Sequence, residues 1–502
     1  MTGNSVAATA PEAAIGVGPS LWWRSAVPLA AIVAIALLPA PAGLGQHAWY
    51  YFAVFVGVVL GLMLEPLPGA MVGLLGVTTV SILCRWVFFS PAEQARPGFD
   101  AAGAVVKWAL AGFSNSSVWL IVGAFMFTLG YEQSGLGRRI ALLLIRAMGR
   151  RTLTLGYALV AIETLLAPFV PSVTARTGGI IYPVMRNLPP LYGSMPNEPS
   201  ARWIGSYLMW TVMAASCVTS SLFLTAFAPN LLALEFLKKT ANIEIGWGQW
   251  FLAFAPVGVP LLLALPALVY VVYPPRIRQG TEVVTWAGEQ IAAMGPVSRR
   301  ELVFGLLVLL GLALWIFGGA FVNATTVVLI VLVLMVLTKV TDWRSVTENK
   351  VAWGTLVWFA TLISMADGLN QTGFVAWFAH LVASHLQGVS PVAAVVALVS
   401  VFFLSHYLFA SVTAHATAML PVILAVGAAV PGVPVATLAQ MLVLTLGIMG
   451  IITPYGAGPS PIFAGSGYLP ARDFWRLGTL FGALYLVLFL LIGLPTLLLP
   501  VL

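Results

Sequence analysis

Long apolar runs separated by short polar stretches dominate the chain. They lie at 25–42, 48–65, 68–88, 115–134, 203–237, 249–273, 301–319, 322–338, 354–371, 432–468 and 474–501. About 20 apolar residues cover the hydrocarbon core of a bilayer, so each run predicts a membrane-crossing helix. Two further runs, 153–190 and 391–428, are interrupted by polar residues near their middles. Shorter mixed segments at 101–112, 137–149, 284–298, 342–353 and 374–386 predict interfacial or broken helices.

Composition removes the alternatives to a membrane protein. Of 502 residues, 60% are hydrophobic and 8% charged, with a mean hydropathy of +0.99. A soluble domain carries about 25% charged residues. A soluble enzyme, a nucleic-acid reader and a disordered chain are therefore excluded, and the expected fold class is an all-α polytopic membrane protein. The net charge is +7, and the 23 lysines and arginines sort by face. Starting inside, 17 fall on the cytoplasmic side, five fall outside (Arg85, Arg96, Lys107, Lys238, Lys239), and Arg176 lies within an apolar run. This asymmetry predicts about 11 transmembrane helices, a cytoplasmic N-terminus and an outer C-terminus. It holds only if 153–190 and 391–428 each enter and leave on one face, as two re-entrant hairpins. Residues 1–24 lack the basic start and short apolar core of a signal peptide and read as a disordered cytoplasmic tail. Cys84 and Cys217 stand in apolar runs with no metal or redox motif and read as small buried hydrophobes.

The two halves share landmarks in one order. Gln133-Ser134-Gly135 recurs as Gln371-Thr372-Gly373, Ser172-Val173-Thr174-Ala175 as Ser411-Val412-Thr413-Ala414, and Pro183 as Pro421, at spacings of 238, 239 and 238. The first part, 25–300, holds repeat 1 (about 115–273, hairpin 153–190). The second, 301–502, holds repeat 2 (about 354–468, hairpin 391–428) and a last helix, 474–501. Opposite orientation of the two makes them inverted repeats, a signature of secondary transporters with the substrate site at the repeat interface.

Both hairpin tips are polar. Pro168, Pro171, Gly178 and Gly179 break the helix around Ser172 and Thr174, and the second tip runs through Ser411-Val412-Thr413. A helix beginning after such a tip aims free N–H groups and a positive dipole end into a cavity. Two facing tips suit a dicarboxylate. Two long spans also break, around Thr225-Ala226-Phe227-Ala228-Pro229-Asn230 and around Thr453-Pro454-Tyr455-Gly456-Ala457-Gly458-Pro459. Unwound backbone there is where substrate or a coupling cation sits in such folds. Candidate substrate-binding residues are thus Ser172, Val173, Thr174, Arg176, Thr225, Ser411, Val412, Thr413, His415, Thr453 and Pro454.

The runs Leu166 to Pro183, Thr219 to Leu232, His406 to Pro421 and Thr453 to Tyr468 resemble the divalent anion/sodium symporter family. The nearer resemblance is to its exchanger branch, which includes plastid 2-oxoglutarate/malate translocators and bacterial citrate/succinate and tartrate/succinate antiporters. The resemblance implies a homodimer whose protomers each have a scaffold domain and an elevator-type transport domain. It also implies di- or tricarboxylate substrates and no cofactor. Sodium-coupled members carry Ser-Asn-Thr at both tips, where this chain has Ser172-Val173-Thr174 and Ser411-Val412-Thr413, so the sodium sites read as degraded. Arg176 and His415, at one offset from each tip, are candidates to supply the missing positive charge. The expected function is sodium-independent antiport, and the chain is not expected to be an enzyme.

Ionisable groups in the membrane default to function. Glu163, Asp367 and His415 are candidates for cation or proton coupling, with a Glu163–Arg176 pair as the structural alternative for Glu163. A sodium- or proton-coupled dicarboxylate symporter, an intramembrane hydrolase with Ser172 or Ser411 as nucleophile, and a pore are the rival readings.

Overall fold

The computed structural model describes residues 22–318, 321–385, 388–409 and 411–498. Residues 1–21 of the expected tail and the end of the last expected span lie outside them. Among the described residues every regular element is helical. Hydrocarbon offers backbone groups no partner, and a helix satisfies its own. The first helix, Trp22–Leu37, begins inside the segment expected as tail. Among the described residues nine helical runs are long and apolar enough to cross a membrane, three of them hairpin arms, and four apolar helices are shorter. Helix Arg299–Phe317 shows why lipid is the solvent: Leu302, Leu306 and Leu309 form an outward stripe, each about 60% exposed. Only an apolar surrounding accepts such a stripe at low cost.

The two halves run through one series of elements. In the first, Ser116–Ser134 is followed by the amphipathic Leu136–Met148, hairpin arms Thr152–Leu166 and Thr174–Ile181, and the broken helix Gly205–Leu222 with Ala228–Ala241. Trp247–Val272 closes it. In the second, Lys350–Gln371 is followed by Phe374–His385, hairpin arms Pro391–Ser405 and Val412–Ala429, and the broken helix Val435–Ile448 with Ser460–Ala464. Ala471–Leu488 closes that half.

Packing shows how the halves interlock. Gly205–Leu222 lies along the first hairpin arm, and Ala228–Ala241 lies along Val412–Ala429 of the second hairpin. Val435–Ile448 packs on both arms of the second hairpin. Ser460–Ala464 meets the first hairpin, with Tyr182 and Phe463 edge to face at 5.7 Å. Each hairpin is thus flanked by the first half of one broken helix and the second half of the other. The two halves of a broken helix lie on opposite sides of its break, so the hairpins reach the breaks from opposite sides.

The broken helices touch where their first halves end. Ser221 Oγ accepts from Gly447 N and Ile448 N at 3.1 Å each. A Cβ at Gly447 would lie 2.5 Å from Ser221 N and 2.6 Å from Cys217 O, so only glycine lets the backbones meet. Gly447→Ala is therefore expected to cost about 1–3 kcal/mol by overpacking, lowering the thermal midpoint in detergent. Gly354→Ala, with nothing near the added methyl group, is the matched change expected to leave it in place.

Candidate functional site

The first tip follows a tight turn, Ala167–Phe169, set by Pro168 and ended by Pro171. Ser172 then starts the second arm. Its Oγ accepts from Ala175 N at 3.2 Å and its carbonyl from Arg176 N at 2.9 Å. The arm opens as a wide π-helical run, Thr174–Ile181, a local geometry enriched at functional sites. At the second tip Ser411 caps Val412–Ala429, its Oγ accepting from Ala414 N at 3.5 Å. First-turn N–H groups have no acceptor within their own helix. Each cap takes one, and the dipoles leave both tips positive.

The tips face one cavity of about 380 Å³, within the size range of small-molecule sites. Ser172, Val173, Thr174, Ser411, Val412 and Thr413 line it, together with residues 227–229 and 455–458 of the two breaks. The opposite wall is Phe125, Thr355, Trp358 and Phe359, with Glu65 at the edge. Six expected site residues are thus brought together from positions 239 residues apart. Gly458 lets the second break pass over the first tip: a Cβ on it would lie 2.0 Å from Thr174 Oγ1. Among the described lining residues Glu65 alone carries a charge.

Arg176 lies behind the tip and does not line the cavity. It is fully buried, with Nε 2.7 Å from Glu163 Oε1, itself fully buried. Nη1 donates to Val170 O and Ala226 O, both at 2.8 Å. Thr177 and Thr219 donate to the two Glu163 oxygens at 3.1 Å each. The pair neutralises itself and ties the first hairpin to the first break. Glu163 therefore takes the structural alternative, as the partner of Arg176.

His415 is also turned away. Its Nε2 lies 3.0 Å from Ser405 Oγ, and its ring packs on Phe402 at 4.4 Å and Phe409 at 5.0 Å. Phe402 and His415 occupy the repeat positions of Glu163 and Arg176, 239 residues on (402 − 163 = 415 − 176 = 239). One half holds an ion pair where the other packs two tilted rings together. His406 holds the second break, its Nε2 2.7 Å from Gly456 O. The two imidazoles thus serve Ser405 and Gly456, and neither of these bonds reaches Ser411.

The remaining candidates sit at the breaks or beyond. Thr225 Oγ1 donates to Pro168 O at 2.5 Å and accepts from Trp247 Nε1 at 3.2 Å, so it joins break to hairpin outside the cavity lining. Thr453 is buried beside Gly456, and Pro454 precedes the lining residue Tyr455. Asp367 pairs with Lys239 at 3.3 Å and accepts from Gln371 at 2.8 Å, away from the cavity. Sequence reading missed Glu65, Phe125, Thr355, Trp358 and Phe359. They come from helices read as plain spans, and only the Glu65-Pro66-Leu67-Pro68 turn stood out by its prolines.

Comparison with known proteins agrees with this architecture. The family model for the sodium:sulfate symporter transmembrane region matches residues 19–499. The chain belongs to the sodium:sulfate symporter family. Among curated members, the citrate/succinate antiporter of Escherichia coli K12 is 51% identical over 482 residues, 96% of this chain and 93% of that one. The L-tartrate/succinate antiporter of the same strain is 50% identical over 474 residues, 94% and 97% of the two chains. Two solved transporters share the fold at low identity. The Alcanivorax borkumensis YdaH transporter aligns with a TM-score of 0.51 at 17% identity, over 85% of this chain and 98% of that one. Neisseria gonorrhoeae MtrF aligns at 0.55 and 12%, over 87% and 96%.

The network around Arg176 in this symporter-family chain makes a stability prediction. Removing one partner of a buried pair leaves an uncompensated charge and costs about 3–5 kcal/mol. Glu163→Gln and Arg176→Gln should each lower the thermal midpoint sharply. The double change should cost less than the sum of the two, because both lie in one network.

Proposed function

We propose that this chain exchanges one di- or tricarboxylate of the citrate, succinate, malate, tartrate or 2-oxoglutarate class for another, without sodium. The observation that carries the reading is the single cavity bounded by two hairpin tips from opposite sides. Each tip offers hydroxyls and a positive helix end to one carboxylate. The antiporter relatives, about half identical over nearly the whole chain, support the same substrate class.

Independence from sodium follows from where the break carbonyls point. In transporters with discontinuous helices, unwound carbonyls coordinate the coupling cation. Here Val170 O and Ala226 O accept from Arg176, and Gly456 O accepts from His406. Valine at both tips offers no further oxygen. Exchange is obligatory for a related reason. With the cavity empty, tip N–H groups lack acceptors, and carrying them through the bilayer core costs free energy. A bound dicarboxylate supplies acceptors at both tips.

Hairpins and broken helices interlock as one unit, which moves as an elevator against the surrounding helices of a homodimer. The membrane is the bacterial inner membrane, with the N-terminus cytoplasmic and the C-terminus outside.

Counterflow tests the reading. Liposomes holding the purified protein and internal succinate should take up labelled succinate, citrate or tartrate at a rate independent of sodium, and unloaded liposomes should take up none. Sodium-driven uptake into unloaded liposomes overturns it. Thr174→Ala and Thr413→Ala should each raise KM about tenfold, the scale of one lost hydrogen bond to a charged group.

A further inference from the structure

Away from the cavity, one helix of the moving unit bonds to two helices of the frame around it. Helix Ala228–Ala241 belongs to the moving unit, because it packs along Val412–Ala429 and Val435–Ile448. Glu235 and Lys239 stand four residues apart on it and so share one face. Glu235 is buried and accepts from Asn115 Nδ2 and Ser117 Oγ, both at 2.6 Å. Lys239 Nζ lies 3.3 Å from Asp367 Oδ1, and the other Asp367 oxygen accepts from Gln371 at 2.8 Å. Asn115 caps helix Ser116–Ser134, and Asp367 is in the last turns of Lys350–Gln371. These two helices pack on each other and on Ala324–Leu337 and Gly69–Ile82, outside the hairpins and breaks, so they belong to the frame.

The cavity meets the same two frame helices further along. Thr355, Trp358 and Phe359 line it from Lys350–Gln371, and Phe125 lines it from Ser116–Ser134. Asp367 follows Phe359 by eight residues, about 12 Å of helix, and Asn115 precedes Phe125 by ten, about 15 Å. Thr355 is five residues from Lys350, so the cavity sits toward the Lys350 end of the frame. Tyr455 on the lining packs 6.4 Å from Trp475, which stands between Arg472 and Arg476. On the proposed orientation Lys350, Arg472 and Arg476 face the cytoplasm and Lys239 faces outside. The moving unit is therefore at the cytoplasmic end of its travel, and Glu235 and Lys239 hold its outer end. Lys350–Gln371 stops four residues past Asp367, and Ser116–Ser134 starts beside Asn115. Outward travel carries Glu235 and Lys239 beyond both helix ends, and both contacts break.

We propose that Glu235 and Lys239 latch the moving unit in its cytoplasm-facing position, so that the carrier rests open to the inside. The inference rests on the transport reading above, with its elevator motion and its orientation. Hydrogen bonds to a carboxylate are stronger than neutral ones, and Glu235 makes two of them while buried. The Lys239–Asp367 pair is partly exposed and holds less strongly. Lys238 pairs instead with Glu244 at 2.7 Å, six residues on in the same chain segment, so that pair travels with the unit. The contact is also built to part. A cavity of about 360 Å³ lies beside it, with Leu234 and Glu235 on the moving wall and Ser117 and Leu120 on the frame wall. A permanent core closes such gaps to crystal-like density.

Labelling from each face tests the latch. Val173→Cys places a thiol on the cavity lining, in a chain whose own Cys84 and Cys217 are buried. A membrane-impermeant thiol reagent is applied to right-side-out and to inside-out vesicles. With the latch intact, labelling should be faster from the inside. Asn115→Asp keeps the oxygen that caps Ser116–Ser134 and turns a carboxylate toward Glu235. Lys239→Asp sets a like charge against Asp367. Each should raise labelling from outside about tenfold, the scale of one hydrogen bond to a charged group, without raising it from inside. Lys239→Asp combined with Asp367→Lys reverses the pair and should return the rate toward that of the intact latch. Ser117→Ala and Lys239→Gln carry the test if the charged variants do not fold. Faster labelling from outside with the latch intact overturns the proposal. Unchanged outside labelling in the single variants, a reversed pair that behaves like them, or a rise from both faces overturns it too. Failure of the wild type to exchange succinate overturns the transport reading itself, and is seen before any variant is made.

Discussion

Backbone that leaves the helix inside a membrane must find partners for its polar groups within the protein. The rest of this structure depends on that requirement. Four chain breaks meet near the cavity, and side chains from neighbouring elements serve them. Thr225 donates to Pro168 O, and Arg176 to Val170 O and Ala226 O. Asn230 donates to Ser220 O at 2.7 Å, and Trp250 to Ser221 O at 2.8 Å. His406 donates to Gly456 O, and Tyr407 to Met449 O. Ala228 N reaches Pro171 O at 3.0 Å, joining first break to first tip directly. Interlocked hairpins and broken helices are the form this accounting takes.

That accounting determines the character of the cavity. The strongest donors near the tips are spent on backbone carbonyls, so the lining keeps hydroxyls, helix ends and apolar side chains. Such a surface offers hydroxyls and helix ends in place of a fixed cationic side chain, which is what the proposed carboxylate exchange uses.

The two repeats solve one problem with different chemistry. At repeat-related positions the first hairpin uses Glu163 with Arg176, and the second uses Phe402 with His415. A buried ion pair is costly to assemble and costly to break from one side. A tilted ring contact carries no charge that would need compensation. One guanidinium thus ties the first hairpin to its broken helix through Ala226 O, Thr219 and Ser220, and the second hairpin reaches its break through His406 to Gly456 O and Tyr407 to Met449 O.

Much was legible in the sequence because bilayer physics acts locally. Apolar length marked most of the long helices, lysine and arginine placement suggested two re-entrant hairpins, and the Ser-Val-Thr recurrence pointed to the two turns that face the cavity. Prolines and glycines at 454–461 marked a break that no helix could bridge. What the sequence could not assign was the direction of side chains. Arg176 and His415 follow each tip at one offset, yet neither lines the cavity: Arg176 meets Glu163 and two carbonyls, and His415 meets Ser405 and two phenyl rings. Glu65, Thr355, Trp358 and Phe359 lie in other helices, and only tertiary packing brings them to the tips. Sequence decided which segments break, because breaking is a property of local residues. The fold decided which side chains face the substrate, because that depends on what each exposed backbone group needed first.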